Sequence, residues 1–317
     1  IVTSSKVFCY KYPNDKSCKF EKVLSCPDST NPACNPGQEE LKVEPKFESR
    51  ISVGKNFSCF ALKNEEEDAE LSLKCFGDNA YNQTGPQVNS VGVLSKQTGS
   101  NHIFLNEQSP NFTPKNIESG SHHSCSIDDN GGLFCFGSNS QGQRGFSGTN
   151  TSVNKVNFNA IQTGLSVKQI ALGQSHTCAL FNNNKVACFG DNKYGQLGVN
   201  SRINISVPSS FINFGSTKVT KIVSGANHNC ALLETGKVTC WGRNHKGQLG
   251  LGLQATNSYS DDPNEMSSST FLTLNHSTIK TFSDITSGKN HSCAYNKKDQ
   301  NFFCWGNNAS GQIGQDN

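Results

Sequence analysis

Short apolar runs that end in glycine recur along the chain, as in Val219-Thr-Lys-Ile-Val-Ser-Gly225, and two cysteine-centred apolar stretches follow each of them. Polar turn residues separate the two stretches: Asn130-Gly131-Gly132 in one copy, Asn182-Asn183-Asn184 in the next and Thr235-Gly236 in the third. Apolar runs of this length bounded by Gly and Asn read as strands joined in hairpins. No stretch shows the apolar recurrence of an amphipathic helix, so the pattern predicts an all-β fold.

The strands belong to one unit that returns five times. Its clearest copy runs Gly173-Gln-Ser-His176-Thr-Cys178, then Val186-Ala-Cys188-Phe-Gly190, then Gly195-Gln-Leu-Gly198. The following copy reads Gly225-Ala-Asn-His228-Asn-Cys230, Val238-Thr-Cys240-Trp241-Gly242 and Gly247-Gln-Leu-Gly250. The others close with Asn82-Gln-Thr-Gly85, Gly142-Gln-Arg-Gly145 and Gly311-Gln-Ile-Gly314. First cysteines fall at Cys59, Cys125, Cys178, Cys230 and Cys293, spacings of 66, 53, 52 and 63 residues. A variable pitch around a constant motif predicts blades with loop insertions. The repeats are assigned to 49–116, 117–168, 169–218, 219–281 and 282–317. Residues 1–48 are read as a degenerate sixth, N-terminal blade in a Cys-rich segment, with Val7-Phe8-Cys9-Tyr10 and Ser17-Cys18-Lys19-Phe20 around a Pro13-Asn14-Asp15 turn. Four-stranded antiparallel sheets repeating around an axis bury the faces of such units, so the expected architecture is a β-propeller forming one domain overall.

The combination Gly-x-x-His-x-Cys, Val-x-Cys-Trp-Gly and Asn-x-x-Gly-Gln-Leu-Gly resembles the repeat of regulator-of-chromosome-condensation-like propellers over residues 49–317. The resemblance implies a propeller, commonly of seven blades. This chain shows five clear units and the degenerate one, so closure of the ring within these residues is an open point. In the namesake proteins of that family the propeller binds a small GTPase and chromatin in the nucleus, and nucleotide exchange enters as a remote alternative by analogy; no residue role is carried over.

Cysteine usage points away from the nucleus. Fourteen cysteines at repeated spacings read as a disulfide framework. Facing residues in an antiparallel ladder come within disulfide range, so the expected pairs lie inside blades: Cys59/Cys75, Cys125/Cys135, Cys178/Cys188, Cys230/Cys240 and Cys293/Cys304. Proximity pairs Cys9 with Cys18 and Cys26 with Cys34, one of three connectivities open to these four. The rival reading, His-x-Cys plus the later Cys as zinc ligands, lacks any Cys-x-x-Cys pair, and Phe57 replaces the histidine where both cysteines remain.

The recurring histidines His123, His176, His228 and His291 read as buried imidazoles bonded to neighbouring backbone, because four equivalent copies suit structure better than catalysis. The Gly-Gln-x-Gly glycines read as positive-φ turn positions, not a phosphate loop. Trp241, Trp305, Phe76, Phe136 and Phe189 share the slot after the second cysteine and are expected to pack between blades.

No nucleophile elbow, metalloprotease motif or singled-out carboxylate pair is present, so the chain reads as a non-enzyme with no cofactor and no metal site. A net charge of +3 from 28 basic and 25 acidic residues argues against nucleic acid as partner. No apolar run is long enough to span a membrane. The chain opens on Ile1 and holds a single Met266, which suggests a processed or excerpted segment. Asn-x-Ser/Thr acceptors stand at Asn56, Asn82, Asn111, Asn150, Asn204, Asn275, Asn290 and Asn308. Asn111, Asn150, Asn204 and Asn275 lie in inter-blade loops and rank highest for N-glycans. These features favour a secreted or cell-surface structural and interaction glycoprotein module that meets a protein partner or self-assembles. The alternative is a ligand-binding propeller, of lectin or protein-inhibitor type, that uses one loop face.

Overall fold

The computed structural model describes residues 51–63, 71–85, 101–103, 114–148, 153–199, 201–251 and 281–314, all within the unit Glu48–Asn317. The degenerate blade, Cys9, Cys18, Cys26, Cys34, Asn111, Asn150 and Asn275 lie outside these residues.

Five antiparallel sheets follow one another, one for each repeat, as propeller blades. Blade 1 contains β1 (Ile51–Val53), β2 (Phe57–Lys63), β3 (Leu71–Gly77) and β4 (Asn101–Ile103). Blade 2 contains β5 (Pro114–Ser119), β6 (His123–Asp128), β7 (Leu133–Gly137) and β8 (Asn154–Lys155). Blades 3, 4 and 5 each show three strands: β9 (Val167–Leu172), β10 (His176–Phe181) and β11 (Val186–Gly190); β12 (Val219–Ser224), β13 (His228–Leu233) and β14 (Val238–Gly242); β15 (Asp284–Ser287), β16 (His291–Asn296) and β17 (Asn301–Gly306). The expected fourth strand is thus a regular ladder only in blades 1 and 2 among the described residues. In blade 3 an irregular segment takes its place, touching β11 through the Gly190–Ile205 bridge and an Ile212 amide bonded to the Val186 carbonyl at 2.8 Å.

Register explains the cysteine spacing. Cys59 faces Cys75, Cys125 faces Cys135, Cys178 faces Cys188, Cys230 faces Cys240 and Cys293 faces Cys304 across the central hairpins. All five pairs are disulfide-bonded, with Cα atoms 4.0–4.1 Å apart. Each blade therefore carries its own staple, independent of the length of the inter-blade loops.

Alternation along the central strand builds the core between sheets, since successive side chains leave a strand on opposite faces. Cys178 and Leu180 pack forward against Ile222, Ala231 and Trp241 of blade 4. Ala179 and Phe181 pack backward against Ile127, Leu133 and Val156 of blade 2. The same arrangement joins blades 1 to 2 and 4 to 5. Both faces of an interior blade are covered, so β6, β10 and β13 are buried at every position.

Candidate interaction site: the joints between blades

The Gly-x-x-His turn places an imidazole on the forward face of blades 2 to 5, where blade 1 has Phe57. Its glycine is required by the ring itself: a Cβ on Gly173 would fall 2.0 Å from His176 Cε1 and 2.8 Å from the carbonyl oxygen of Gly225 in the next blade. Turns of successive blades also touch through backbone. Gln174 N donates to Ala226 O at 2.9 Å, and Ala226 N to Lys289 O at 3.0 Å.

Each interior imidazole reaches the residue just before the first cysteine of the following blade. His123 Nε2 lies 2.9 Å from Thr177 Oγ1, His176 Nε2 lies 2.8 Å from Asn229 Oδ1 and His228 Nε2 lies 2.8 Å from Ser292 Oγ. Partners on the far side fix the proton. Thr177 Oγ1 donates to Gln143 O at 2.8 Å, and Asn229 Nδ2 donates to Gln196 O at 2.7 Å. Both oxygens must therefore accept from the imidazoles, which makes His123 and His176 Nε2–H tautomers with a bare Nδ1 over the turn glycine. Burial pushes His123 and His228 down to about 3 and lowers His176, and nearby titratable basic groups, Arg144 and other imidazoles, oppose protonation of His123 and His228 further. These imidazoles are neutral structural donors. The sequence reading had them bonding to backbone; the acceptors are side chains across the joint, because the neighbouring blade, not the local turn, faces the ring.

The closing loop completes the joint. Gly142, Gly145, Gly195 and Gly198 all have positive φ, as does Asn82, which stands where blade 2 has Gly142. The glutamine of each loop turns its side-chain oxygen back to an amide two residues earlier, as Gln196 does to Tyr194 N at 2.8 Å. Its carbonyl then serves the next blade: Trp241 Nε1 donates to Gln196 O at 3.1 Å and Trp305 Nε1 to Gln248 O at 2.9 Å. An asparagine upstream clamps the loop. Asn79, Asn139, Asn192, Asn244 and Asn308 each accept an amide five residues on through Oδ1. Blade 2 departs from the apolar residue of this loop. Arg144 is buried there, bonded to Gly137 O, set 4.5 Å over the Phe146 ring and lowered to about 10 by burial.

This clamp and the acceptor before the first cysteine were missed in the sequence. The signal existed: Ser58, Ser124, Thr177, Asn229 and Ser292 are all short polar residues in one slot.

The sequence-predicted residues divide by surroundings. All ten described cysteines are paired, so they offer no thiolate to a metal, and no cluster of metal-ligating side chains occurs among the described residues. Asn56 is exposed, while Asn82 and Asn290 are half-buried. Asn204 is exposed, yet its Oδ1 accepts from Asn192 N and its Nδ2 donates to Gln141 Oε1 of blade 2 at 2.6 Å. Asn308 is one of the loop clamps.

At the two ends the joint is half made. The aromatic slot faces the preceding blade, where Phe136, Phe189, Trp241 and Trp305 are buried; in blade 1 Phe76 is 44% exposed and stacks on Phe60 at 5.1 Å. At the other end the forward-facing residues of β16, namely His291, Cys293 and Tyr295, are half-buried to exposed. His291 Nε2 has no acceptor among the described residues. A polar cleft of about 480 Å³ opens elsewhere, beside the blade 2 hairpin turn, lined by Asn130, Lys155, Asn157, Asn159 and Gln162. Among the described residues no helix is long and apolar enough to cross a membrane.

Comparison with known proteins matches this geometry to a repeat. The family described as "Regulator of chromosome condensation (RCC1) repeat" matches residues 115–143, 167–196, 219–248 and 282–312, and a second description of the same repeat matches 183–232 and 235–295. The chain is 35% identical over 148 residues to the X-linked retinitis pigmentosa GTPase regulator of the dog, Canis lupus familiaris, covering 47% of this chain and 14% of that protein. Among solved structures, human WBSCR16 superposes with a TM-score of 0.66 at 23% identity, over 83% of this chain and 63% of its own. Yeast RCC1 (Prp20), solved bound to Kap60, superposes with a TM-score of 0.58 at 18% identity, over 81% of this chain and 55% of its own. The chain thus spans a small fraction of the GTPase regulator and under two thirds of both solved chains.

Proposed function

The chain belongs to the regulator of chromosome condensation repeat family, and from that premise we propose that it is a non-catalytic, protein-binding propeller module of a secreted or cell-surface glycoprotein. Propellers of this family bind proteins, as the complex of the yeast relative with Kap60 illustrates. One observation carries the extracellular part of the reading: a disulfide staples every described blade, in a chain whose apolar content is only 33%. Cytosolic thiols are kept reduced, whereas disulfides persist outside the cell. Acceptor positions Asn56, Asn82, Asn111, Asn150, Asn204, Asn275, Asn290 and Asn308 add support, with Asn308 ranked last because its amide clamps a loop.

The open ends suggest how the module is used. Blade 5 offers a histidine donor with no acceptor among the described residues, and blade 1 offers the acceptor-slot Ser58 beside an exposed Phe76. A unit that fits blade 5 must present Ser, Thr or Asn before a cysteine. A blade of this repeat from a second subunit would meet that requirement.

The test is mass spectrometry of native protein with thiol alkylation, alongside light scattering. Blocked cysteines, N-glycans and an assembly or partner complex are the expected result. Free thiols throughout, without glycans, would overturn the extracellular reading and return attention to nuclear exchange.

A further inference from the structure

We propose that the propeller face formed by the Gly-x-x-His turns and closing loops of blades 3 to 5 is a docking surface for an acidic polypeptide segment. The proposal rests on the reading of the chain as a protein-binding module but is independent of the open ends.

Turns and closing loops lie at the same end of every blade, because each closing loop is bonded to its own turn: Asp191 N donates to Ser175 O at 2.8 Å, Arg243 N to Asn227 O at 2.8 Å and Asn307 N to Asn290 O at 2.9 Å. Five basic residues gather on this end. Lys193, His245, Lys246 and Lys289 are exposed, and Arg243 is half-buried. Their proximity is direct across two joints. The Arg243 guanidinium lies 4.3 Å from the centre of the Tyr194 ring, which Lys193 Nζ approaches to 5.6 Å, and the blade 4 turn holds Lys289 through the Ala226 bond already described.

The basic groups outnumber the carboxylates and make no ion pair with them. The carboxylate within the cluster, Asp191, accepts from Lys193 N and Gln196 Nε2, and no ion pair joins Lys193, Arg243, Lys246 or Lys289 to a carboxylate among the described residues. The hairpin end of the blades differs: there Lys218 pairs with Glu234 at 3.9 Å, and on the strands Lys221 pairs with Asp284. Repulsion within the cluster is visible at His245, which is lowered first by burial and then by Arg243 and Lys246.

Side-chain chemistry favours a polypeptide carboxylate. A guanidinium stacked on an aromatic ring keeps its edge free for a bidentate carboxylate, and Arg and Tyr are among the residues enriched at protein interfaces. Flanking lysines would then accelerate encounter with an acidic segment more than they deepen binding.

The experiment is fluorescence anisotropy of the full disulfide-bonded chain with a fluorescein-labelled poly-glutamate peptide, over a salt series, with heparin in parallel. The variant Lys193→Gln/Arg243→Gln/Lys246→Gln is expected to lose about tenfold in affinity and most of the salt dependence. A control, Lys218→Gln/Lys237→Gln at the hairpin end, should leave binding unchanged, and unaltered melting of both variants secures the comparison. Absent binding, or equal loss in both variants, overturns the proposal. So does heparin binding without peptide binding, which would make the face a polysaccharide site. None of these outcomes alters the compartment or assembly tests of the module itself.

Discussion

The interior joints and the two terminal faces are made from the same residue slots and behave differently. In the joints between blades 2 and 5 a histidine, its polar acceptor and an aromatic ring are all enclosed. At the ends the same slots are half-covered: Phe76 and Phe60 look out from blade 1, His291 and Tyr295 from blade 5. The joint between blades 1 and 2 is intermediate, since Phe57 replaces histidine and Ser124 Oγ turns to Ser119 Oγ at 2.9 Å instead. The contrast teaches that a blade does not complete its own core. Its forward and backward faces are each half of a bond set that only a neighbour finishes, and the ends keep the unfinished half.

Acid should separate the joints most strongly. His123 and His228 titrate near 6.5 when unfolded and are held down to about 3 when folded. A lowered folded value means that the unfolded chain binds more protons below pH 6.5, so stability is full above that value and falls as pH drops towards 3. The combined loss is of the order of several kcal/mol. Hydrogen exchange at pH 7 and pH 4.5 should show the joints from blade 2 to blade 5 losing protection while the Phe57 joint keeps it; uniform loss would break the comparison.

Disulfide removal comes next in size. Cys178 and Cys188 are buried against blade 4, whereas Cys293 and Cys304 are half-buried on the last blade. Replacing the interior pair with alanine should cost about 3–5 kcal/mol and the terminal pair about 2, read from chemical denaturation. A smaller loss follows at the imidazole. His176→Leu removes one of two donors to the Asn229 oxygen, which keeps the Ser224 hydroxyl at 2.6 Å, and should cost about 1 kcal/mol, while His291→Leu, with no acceptor among the described residues, should cost under about 0.5. A large effect at His291 would mean that the end is already covered in solution.

Much of this was legible in the sequence, for a physical reason. Disulfide register, positive-φ glycines and the aromatic slot are set within one repeat, and the recurrence of Cys178/Cys188 or Gly195-Gln-Leu-Gly198 exposes them directly. Features made between repeats were harder to see. The acceptors Thr177, Asn229 and Ser292 differ in residue type because hydroxyl and amide oxygens serve equally well, so the slot is conserved in chemistry but not in letter. The missing fourth strand of blade 3 was hidden for the opposite reason: Ile205 and Ile212 look like strand residues but bond β11 at two separate points. The basic face was invisible in a net charge of +3, which averages over surfaces that differ.

A small effect of opposite sign tests the odd joint. Glu118 lies on β5, the strand of blade 2 that packs against β1 and β2. Burial raises its carboxyl from 4.5 to about 7, since the site that replaces water supplies too little polarity for the ionised form. A raised folded value makes the folded chain the better proton binder between 4.5 and 7, so this residue erodes stability as pH rises through that window and holds it level above. Glu118→Gln should therefore stabilise the protein at pH 8 and change nothing at pH 4.5. Because the side chain is half-buried, solvent screening limits the gain to under about 1 kcal/mol. Denaturation midpoints of the variant and parent at both pH values decide it: a gain at pH 4.5, or none at pH 8, would show that the Phe57 joint does not desolvate Glu118, and that this joint resembles the open ends more than the interior ones.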